Sequence, residues 1–195
     1  MYKPNYIVTD IFKYQLYQTI LDVDTDKIKK YALSLKKKSK GRTRSNVLGW
    51  QSDDLKDYPP CIQKLIDLIE VNANIFAKQM HIKRELKMDN IWININEYKD
   101  TNDSHIHPYA VLSGVFYVDI KDDCGGIRFY NPLAETLEYV IKEEMVEKWA
   151  QNNCSKWVVI PLQSVLLLFP GWLRHSVEPN KLKNFKRISI SFNLQ

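Results

Sequence analysis

The sequence predicts a mainly β protein, a sheet sandwich or jelly roll backed by two N-terminal helices. Three observations lead there. Two stretches before residue 84 carry apolar residues at helical spacing. From residue 84 onward the apolar period changes to two. No internal repeat, low-complexity tract or linker interrupts the 195 residues. One domain is therefore expected over 1–195, with helical support in 1–83 and the jelly-roll core in 84–195.

The first helix is expected from Asp24. In "DTDKIKKYALSLKKKSK" the residues Ile28, Tyr31, Ala32 and Leu35 share one face. Asp24 or Thr25 can cap its start, the lysines near its end complement the helix dipole, and Gly41 offers a stop. The basic run "KKKSKGRTR" (Lys36 to Arg44) then reads first as a solvated helix end. Contact with phosphate or nucleic acid is the weaker reading of it. The second helix follows Pro59 and Pro60. "CIQKLIDLIEVNANIFAKQM" sets Ile62, Leu65, Ile66, Ile69, Ala73, Phe76, Ala77 and Met80 on one stripe, which needs an apolar surface to cover.

That surface comes from the strands. "ELKMDNIWININEY" alternates Ile91, Ile93 and Ile95 with Trp92, Asn94 and Asn96. "AVLSGVFYVDI", "GGIRFY", "KWVVIP", "SVLLLFP" and "RISISFNL" are short, rich in β-branched and aromatic residues, and bounded by Gly, Pro or charge. The stretch from Ala134 to Asn153 reads as a partly helical insertion between two strands. In "RISISFNL" one face carries Arg187, Ser189, Ser191 and Asn193, and the other Ile188, Ile190, Phe192 and Leu194. The greasy face would lie under the helices, and the polar face would either line a cavity or face solvent. An arginine with a hydroxyl two residues on can hold a carboxylate, because the guanidinium offers a forked pair of donors and the serine a third.

Composition bounds the function. With 45% hydrophobic and 26% charged residues the chain fits a soluble globular protein. No apolar run approaches a membrane span, and the start "MYKPNYIVTD" lacks the apolar stretch of a signal peptide. Cys61, Cys124 and Cys154 are odd in number and widely spaced, so neither a disulfide framework nor a cysteine zinc site is expected, and a reducing cytoplasm is the simplest location. The net charge of +5 is mild.

The histidines are more specific. The chain has four, and two of them, His105 and His107, stand two apart in "SHIHPY". On an extended segment both rings leave the same side, close enough to chelate one ion. His175, in "FPGWLRHSVEP", follows an apolar strand and supplies a third imidazole. Nitrogen ligands at a jelly-roll mouth suit iron, zinc, copper or nickel. His81, near the end of the second helix, reads as structural.

Taken together, these residues resemble the 2-oxoglutarate- and Fe(II)-dependent oxygenases. The shared pattern is an HxD or HxH pair, a distal His after an apolar strand, and an Arg-x-Ser beyond it. The chain looks most like a bacterial and phage branch with an HxHP iron motif, related to prolyl hydroxylases. Motifs in order carry the likeness along most of the chain: "SNVLGWQS", "WININEY", "HIHP", "LSGVFYV", "GGIRFYNP", "LLLFPGWLRHSV" and "RISISFN".

The resemblance implies a double-stranded β-helix, the cupin-like form of jelly roll. It implies Fe(II) at His105, His107 and His175, with 2-oxoglutarate and O2 as cosubstrates. Arg187 matches the residue that holds the distal carboxylate of 2-oxoglutarate, and Ser189 matches its hydroxyl partner. Asn96 stands nine residues before His105, where related prolyl hydroxylases carry a cosubstrate-contacting tyrosine. Tyr117 matches an aromatic on the strand after the iron motif. His107 departs from the pattern, since most of the superfamily has Asp there; the HxHP motif favours a three-histidine centre. Ser164, in "PLQS", stands where the family places Gly. Trp50, Trp92 and Trp172 are candidate walls of the cavity, with ordinary core packing the commoner role for each one singly.

The implied reaction is hydroxylation of a substrate coupled to oxidative decarboxylation of 2-oxoglutarate to succinate and CO2. A prolyl or other protein side chain is the first substrate expected by analogy, with a metabolite or nucleobase behind it. Two other readings stand beside it: a metal-binding cupin-type enzyme that does not use 2-oxoglutarate, and a non-catalytic binding module built on the basic run. No membrane partner is expected. The oligomeric state is open, with a homodimer among the options, and the location is the cytoplasm, the host's if the chain is phage-encoded.

Overall fold

The computed structural model describes residues 7–195 except positions 10 and 13, so part of the opening "MYKPNYIVTD" lies outside the described residues. In chain order the elements are β1 (Tyr17–Ile20), α1 (Thr25–Lys38), β2 (Asn46–Val47), β3 (Trp50–Gln51), α2 (Pro60–Gln79), β4 (Met88–Asn96), β5 (Thr101–His105) and β6 (Leu112–Asp119). There follow β7 (Ile127–Tyr130), α3 (Ala134–Val140), a 3-10 turn (Glu143–Met145), β8 (Lys156–Val159), β9 (Val165–Pro170), β10 (His175–Val177) and β11 (Arg187–Leu194). The strands make two antiparallel sheets. One runs β1-β9-β6-β11-β4-β3 and the other β2-β5-β10-β7-β8.

The register of β11 on β4 explains the layering. Ile188 pairs with Ile95, Ile190 with Ile93 and Phe192 with Ile91, so the apolar sets of both strands share one face. That face joins Phe116 and Val118 of β6 and Leu166 and Leu168 of β9 in a core with Ile28 and Ala32 of α1 and the stripe of α2. Each large apolar side chain buried there contributes roughly 1.5–3 kcal/mol. The helices thus cover one face of the six-stranded sheet, and the polar face looks the other way. A smaller core fills the space between the sheets, with Val115, Ile127, Phe129, Leu167, Phe169 and Leu173.

Local chemistry sets the helix ends. The Asp24 carboxylate accepts from the Lys27 amide at 3.0 Å as the N-cap of α1. The helix ends at Lys38 with Ser39 as C-cap, and Gly41, read as its stop, sits in the left-handed turn beyond at φ +73°. Pro60 occupies the first turn of α2, where its missing N–H costs nothing.

Residues before 84, read as helical support, also supply strands. β1 borders β9, β2 pairs with β5 in one sheet, and β3 pairs with β4 in the other. The β2–β3 segment therefore bridges the two sheets, one strand joining each. The Asn46 side chain pins it, donating to the carbonyls of Gly49 (2.6 Å) and Arg42 (3.2 Å) and accepting from the Arg44 amide (2.7 Å).

The segment between β7 and β8 is partly helical through α3, which buries none of its residues. All three cysteines are free. Among the described residues no helix is long and apolar enough to cross a membrane. Part of the basic run is neutralised: Lys36 pairs with Glu97 at 2.7 Å and Arg42 with Asp54 at 2.6 Å.

Candidate functional site

β5 ends on His105 and β10 begins on His175, and the two are directly paired across the ladder. The strand does not continue to His107, as a single extended segment would require. His107 lies two residues past the end of β5, where its amide donates to the Gly171 carbonyl at 2.9 Å. The loop nonetheless returns the ring to the other two. Ring centroids lie 4.4 Å (His105–His175), 5.0 Å (His105–His107) and 5.1 Å (His107–His175) apart, and one nitrogen from each ring falls within 4.8 Å of the others.

Two of the rings are held by the backbone. His105 Nδ1 donates to the Asp103 carbonyl at 2.7 Å and His175 Nδ1 to the Leu173 carbonyl at 2.8 Å. Committing Nδ1–H to a carbonyl leaves Nε2 as a free lone pair, the usual preparation of a metal-ligating histidine. Burial keeps all three neutral. It lowers His105, lowers His107 to about 4 with help from His105, and lowers His175 to about 3. His107 Nε2 and His175 Nε2 stand 3.3 Å apart. Three neutral imidazoles gathered in this way can hold a divalent transition metal, iron included.

The triad opens on a cavity between the sheets. Its floor is the polar face of the six-stranded sheet, and strand pairing fixes the order of residues there. Arg187 is opposite Asn96, Ser189 lies between Asn94 and Tyr117, and Ser191 lies between Trp92 and Val115. A bulge between Ile188 and Ser189 shifts the β6 register, which brings Tyr117 beside Ser189. All four residues expected at the cosubstrate, Asn96, Tyr117, Arg187 and Ser189, line this cavity together with the three histidines.

Arg187 is 2% exposed. Its Nη1 donates to the carbonyls of Cys124 (2.7 Å), Gly125 (2.8 Å) and Glu178 (3.3 Å). Its Nη2 is buried with no partner among the described residues. Burial lowers the guanidinium, but arginine stays charged in proteins. A buried cation with an orphaned donor facing a cavity is costly unless an anion completes it. A carboxylate there fits. Burial also pushes the Tyr117 phenol well above its usual range, with Arg187 opposing, so it stays protonated and can donate.

Of the three tryptophans only Trp92 lines the cavity, its ring 5.9 Å from that of His107. Trp50 packs in the outer core and donates from Nε1 to the Ser39 carbonyl at 3.0 Å. Trp172 is half exposed, edge-on to Tyr14 at 5.3 Å. Both fall outside the cavity because their segments face away from the space between the sheets. Sequence reasoning missed Ser45, Asn94 and Asn102 on the walls, while Ser191 lies on the polar face expected there. The alternation of β4 could have found Asn94.

Residues 90–193 match a family model described as "Putative 2OG-Fe(II) oxygenase". The chain belongs to the 2-oxoglutarate- and Fe(II)-dependent oxygenases. No curated protein matches this oxygenase. Among solved structures it is similar to a Pseudomonas putida prolyl-4-hydroxylase, with 10% identity and TM-score 0.64 over 93% of this chain and 92% of that one. It is also similar to a Trichoplax adhaerens prolyl hydroxylase in complex with a hypoxia inducible factor oxygen degradation domain peptide fragment, with 13% identity and TM-score 0.62 over 92% and 82% of the chains. A third is the epimerase SnoN of nogalamycin biosynthesis, in complex with Fe3+, alpha ketoglutarate and nogalamycin RO, with 13% identity and TM-score 0.69 over 93% and 79%. At such identities the likeness shows the fold, a mostly β jelly roll of two antiparallel sheets. Family membership makes this oxygenase a 2-oxoglutarate-dependent non-haem iron enzyme, with Fe(II) as metal and 2-oxoglutarate and O2 as cosubstrates.

Proposed function

We propose that this oxygenase hydroxylates a C–H bond of its substrate, consuming one 2-oxoglutarate and one O2 and releasing succinate and CO2, with a protein side chain such as proline as the first substrate to test. His105, His107 and His175 would hold the iron. Arg187 and Ser189 would bind the distal carboxylate of 2-oxoglutarate, with Asn96 and Tyr117 flanking the same molecule. One observation carries this reading: a buried arginine whose Nη2 has no partner lines the same cavity as three neutral imidazoles.

Fe(II), when bound, supplies the redox chemistry that couples O2 to both 2-oxoglutarate and the substrate. The chain's own contribution is positional. Nδ1–H bonds to Asp103 and Leu173 fix two imidazoles with Nε2 available. The carbonyl cradle around Nη1 fixes Arg187 with Nη2 unspent. The sheets exclude bulk water from the floor of the cavity, which strengthens every charge contact made there. The same reading takes residues 1–195 as one domain, a double-stranded β-helix supported by α1 and α2.

A peptide hydroxylation screen is the substrate test, because two similar structures are prolyl hydroxylases. The test of the cosubstrate is an anaerobic calorimetric titration of Mn(II)-loaded protein with 2-oxoglutarate. Saturation at one equivalent is expected. No binding at millimolar 2-oxoglutarate would favour a cupin-type metalloenzyme that does not use it.

A further inference from the structure

The turn whose Cys124 and Gly125 carbonyls hold Arg187 is itself braced by the end of β10. Glu178, the residue after β10, meets Gly126 of that turn through two groups and Arg187 through a third. Its amide donates to the Gly126 carbonyl at 2.8 Å, its Oε2 accepts from the Gly126 amide at 3.4 Å, and its carbonyl accepts from Arg187 Nη1 at 3.3 Å. Its remaining oxygen, Oε1, accepts from Arg128 Nη2 at 2.5 Å. Arg128 is on β7, paired with Ser176 of β10, so the ion pair ties the strand end to the neighbouring strand. The turn it grips is tight. Gly125 sits at φ +86°, and a Cβ there would meet the Glu178 carbonyl at 2.4 Å, the Pro179 carbonyl at 2.7 Å and Arg187 Nη1 at 2.9 Å.

The same short strand begins at His175. One end therefore carries an imidazole of the triad, and three residues on, at about 3.3 Å per residue, comes the residue that braces the turn holding the arginine and adds the third carbonyl at Nη1. We infer that Glu178, clamped by Arg128, is a positioning residue that matches the site to the length of a five-carbon 2-oxo diacid. This rests on the cosubstrate role proposed above for Arg187. Arg187 supplies the charge; Glu178 supplies the ruler.

The experiment measures dissociation constants of Mn(II)-loaded protein for 2-oxoglutarate, the shorter oxaloacetate and the longer 2-oxoadipate, together with metal content. Glu178→Gln keeps the shape and removes the charge pair; Glu178→Asp is the milder variant should the first fold poorly; Arg128→Met removes the clamp. Each should weaken 2-oxoglutarate by on the order of tenfold, the usual cost of losing an outer partner of a binding group. Each should also narrow the preference for five carbons over four or six, with metal content unchanged. The Glu178→Gln/Arg128→Met double variant should be no weaker than the worse single one, because both act through one contact. A variant that binds 2-oxoglutarate as the parent does, with the same preference for length, overturns the inference and leaves the cosubstrate assignment standing. Equal weakening for all three diacids also overturns it, since that marks general loosening. A parent protein that binds none of the three overturns both assignments.

Discussion

His105 and His175 face each other as one residue pair of the β5–β10 ladder, so the two imidazoles farthest apart in sequence are the two nearest in space. Backbone pairing fixes their separation, while His107 depends on a loop anchored by Gly171. The three candidate ligands therefore differ in how firmly the fold places them, and their variants should differ too.

His105→Ala and His175→Ala should each abolish stoichiometric iron binding, measured by anaerobic titration and metal analysis. His107→Asp should retain measurable iron affinity, because a carboxylate there restores the commoner facial triad. Iron binding by His107→Ala as tight as the parent's would show that the third imidazole is not a ligand.

Arg187→Ala should weaken 2-oxoglutarate by roughly a hundredfold or more, since removing one partner of a buried charge pair costs ~3–5 kcal/mol and ~1.4 kcal/mol is tenfold. Metal content should stay near stoichiometric. Arg187→Lys should recover only part, because an ammonium lacks the planar fork. Calorimetry on the Mn(II)-loaded variants reads both.

The metal-free protein should lose stability as pH falls from 7 to 5. The imidazoles of His105, His107 and His175 are lowered in the folded state, the last two to about 4 and about 3, while unfolded histidine titrates near ~6.5. Below that value the unfolded chain takes up protons that the folded chain refuses. Their contribution is thus fully present above pH ~6.5 and lost as pH falls toward the folded values, by up to ~1.4 kcal/mol per pH unit for each imidazole. Urea unfolding at pH 7, 6 and 5 measures the slope, and His107→Asn should reduce it by about one proton.

Ser164→Gly should stabilise the protein by up to about 1 kcal/mol, because Ser164 holds φ +61° in a turn where a side chain is strained. Its amide and carbonyl, which bond to the Tyr117 carbonyl and the Leu21 amide, are kept by glycine. A lower melting temperature in the variant would show that the turn is not strained.

Long strands with strict alternation were readable from the sequence. The two faces of β4 and β11 followed from parity, but parity left the polar face open to cavity or solvent, and the resemblance placed Arg187, Ser189 and Asn96 at a site. Short strands were not readable: β2 and β3 have two residues each and β10 has three. Such strands exist because distant partners pair with them, and two or three residues show no period. β5 reads "TNDSH", whose polarity hides a strand at the centre of the site. The arginine cradle was invisible for a different reason. The carbonyls of Cys124, Gly125 and Glu178 are backbone atoms, and no side-chain pattern announces an acceptor that every residue possesses. Trp50 takes the core role that was the commoner reading for each tryptophan, and Trp172 a half-exposed one, because an aromatic serves a core or a surface groove as readily as a cavity wall.

β11 pairs with β4 at eight positions and with β6 at seven, so the last strand in sequence is an inner strand of the six-stranded sheet. On the ribosome, β4 and β6 emerge well before it. Until residues 187–194 arrive they remain two open edges with a gap between them, and such edges invite pairing with other chains. The cavity floor, with its arginine and serine, is built by that same strand. Sheet completion and the cavity floor are therefore gained in one step, and chains lacking residues 187–194 should expose both edges.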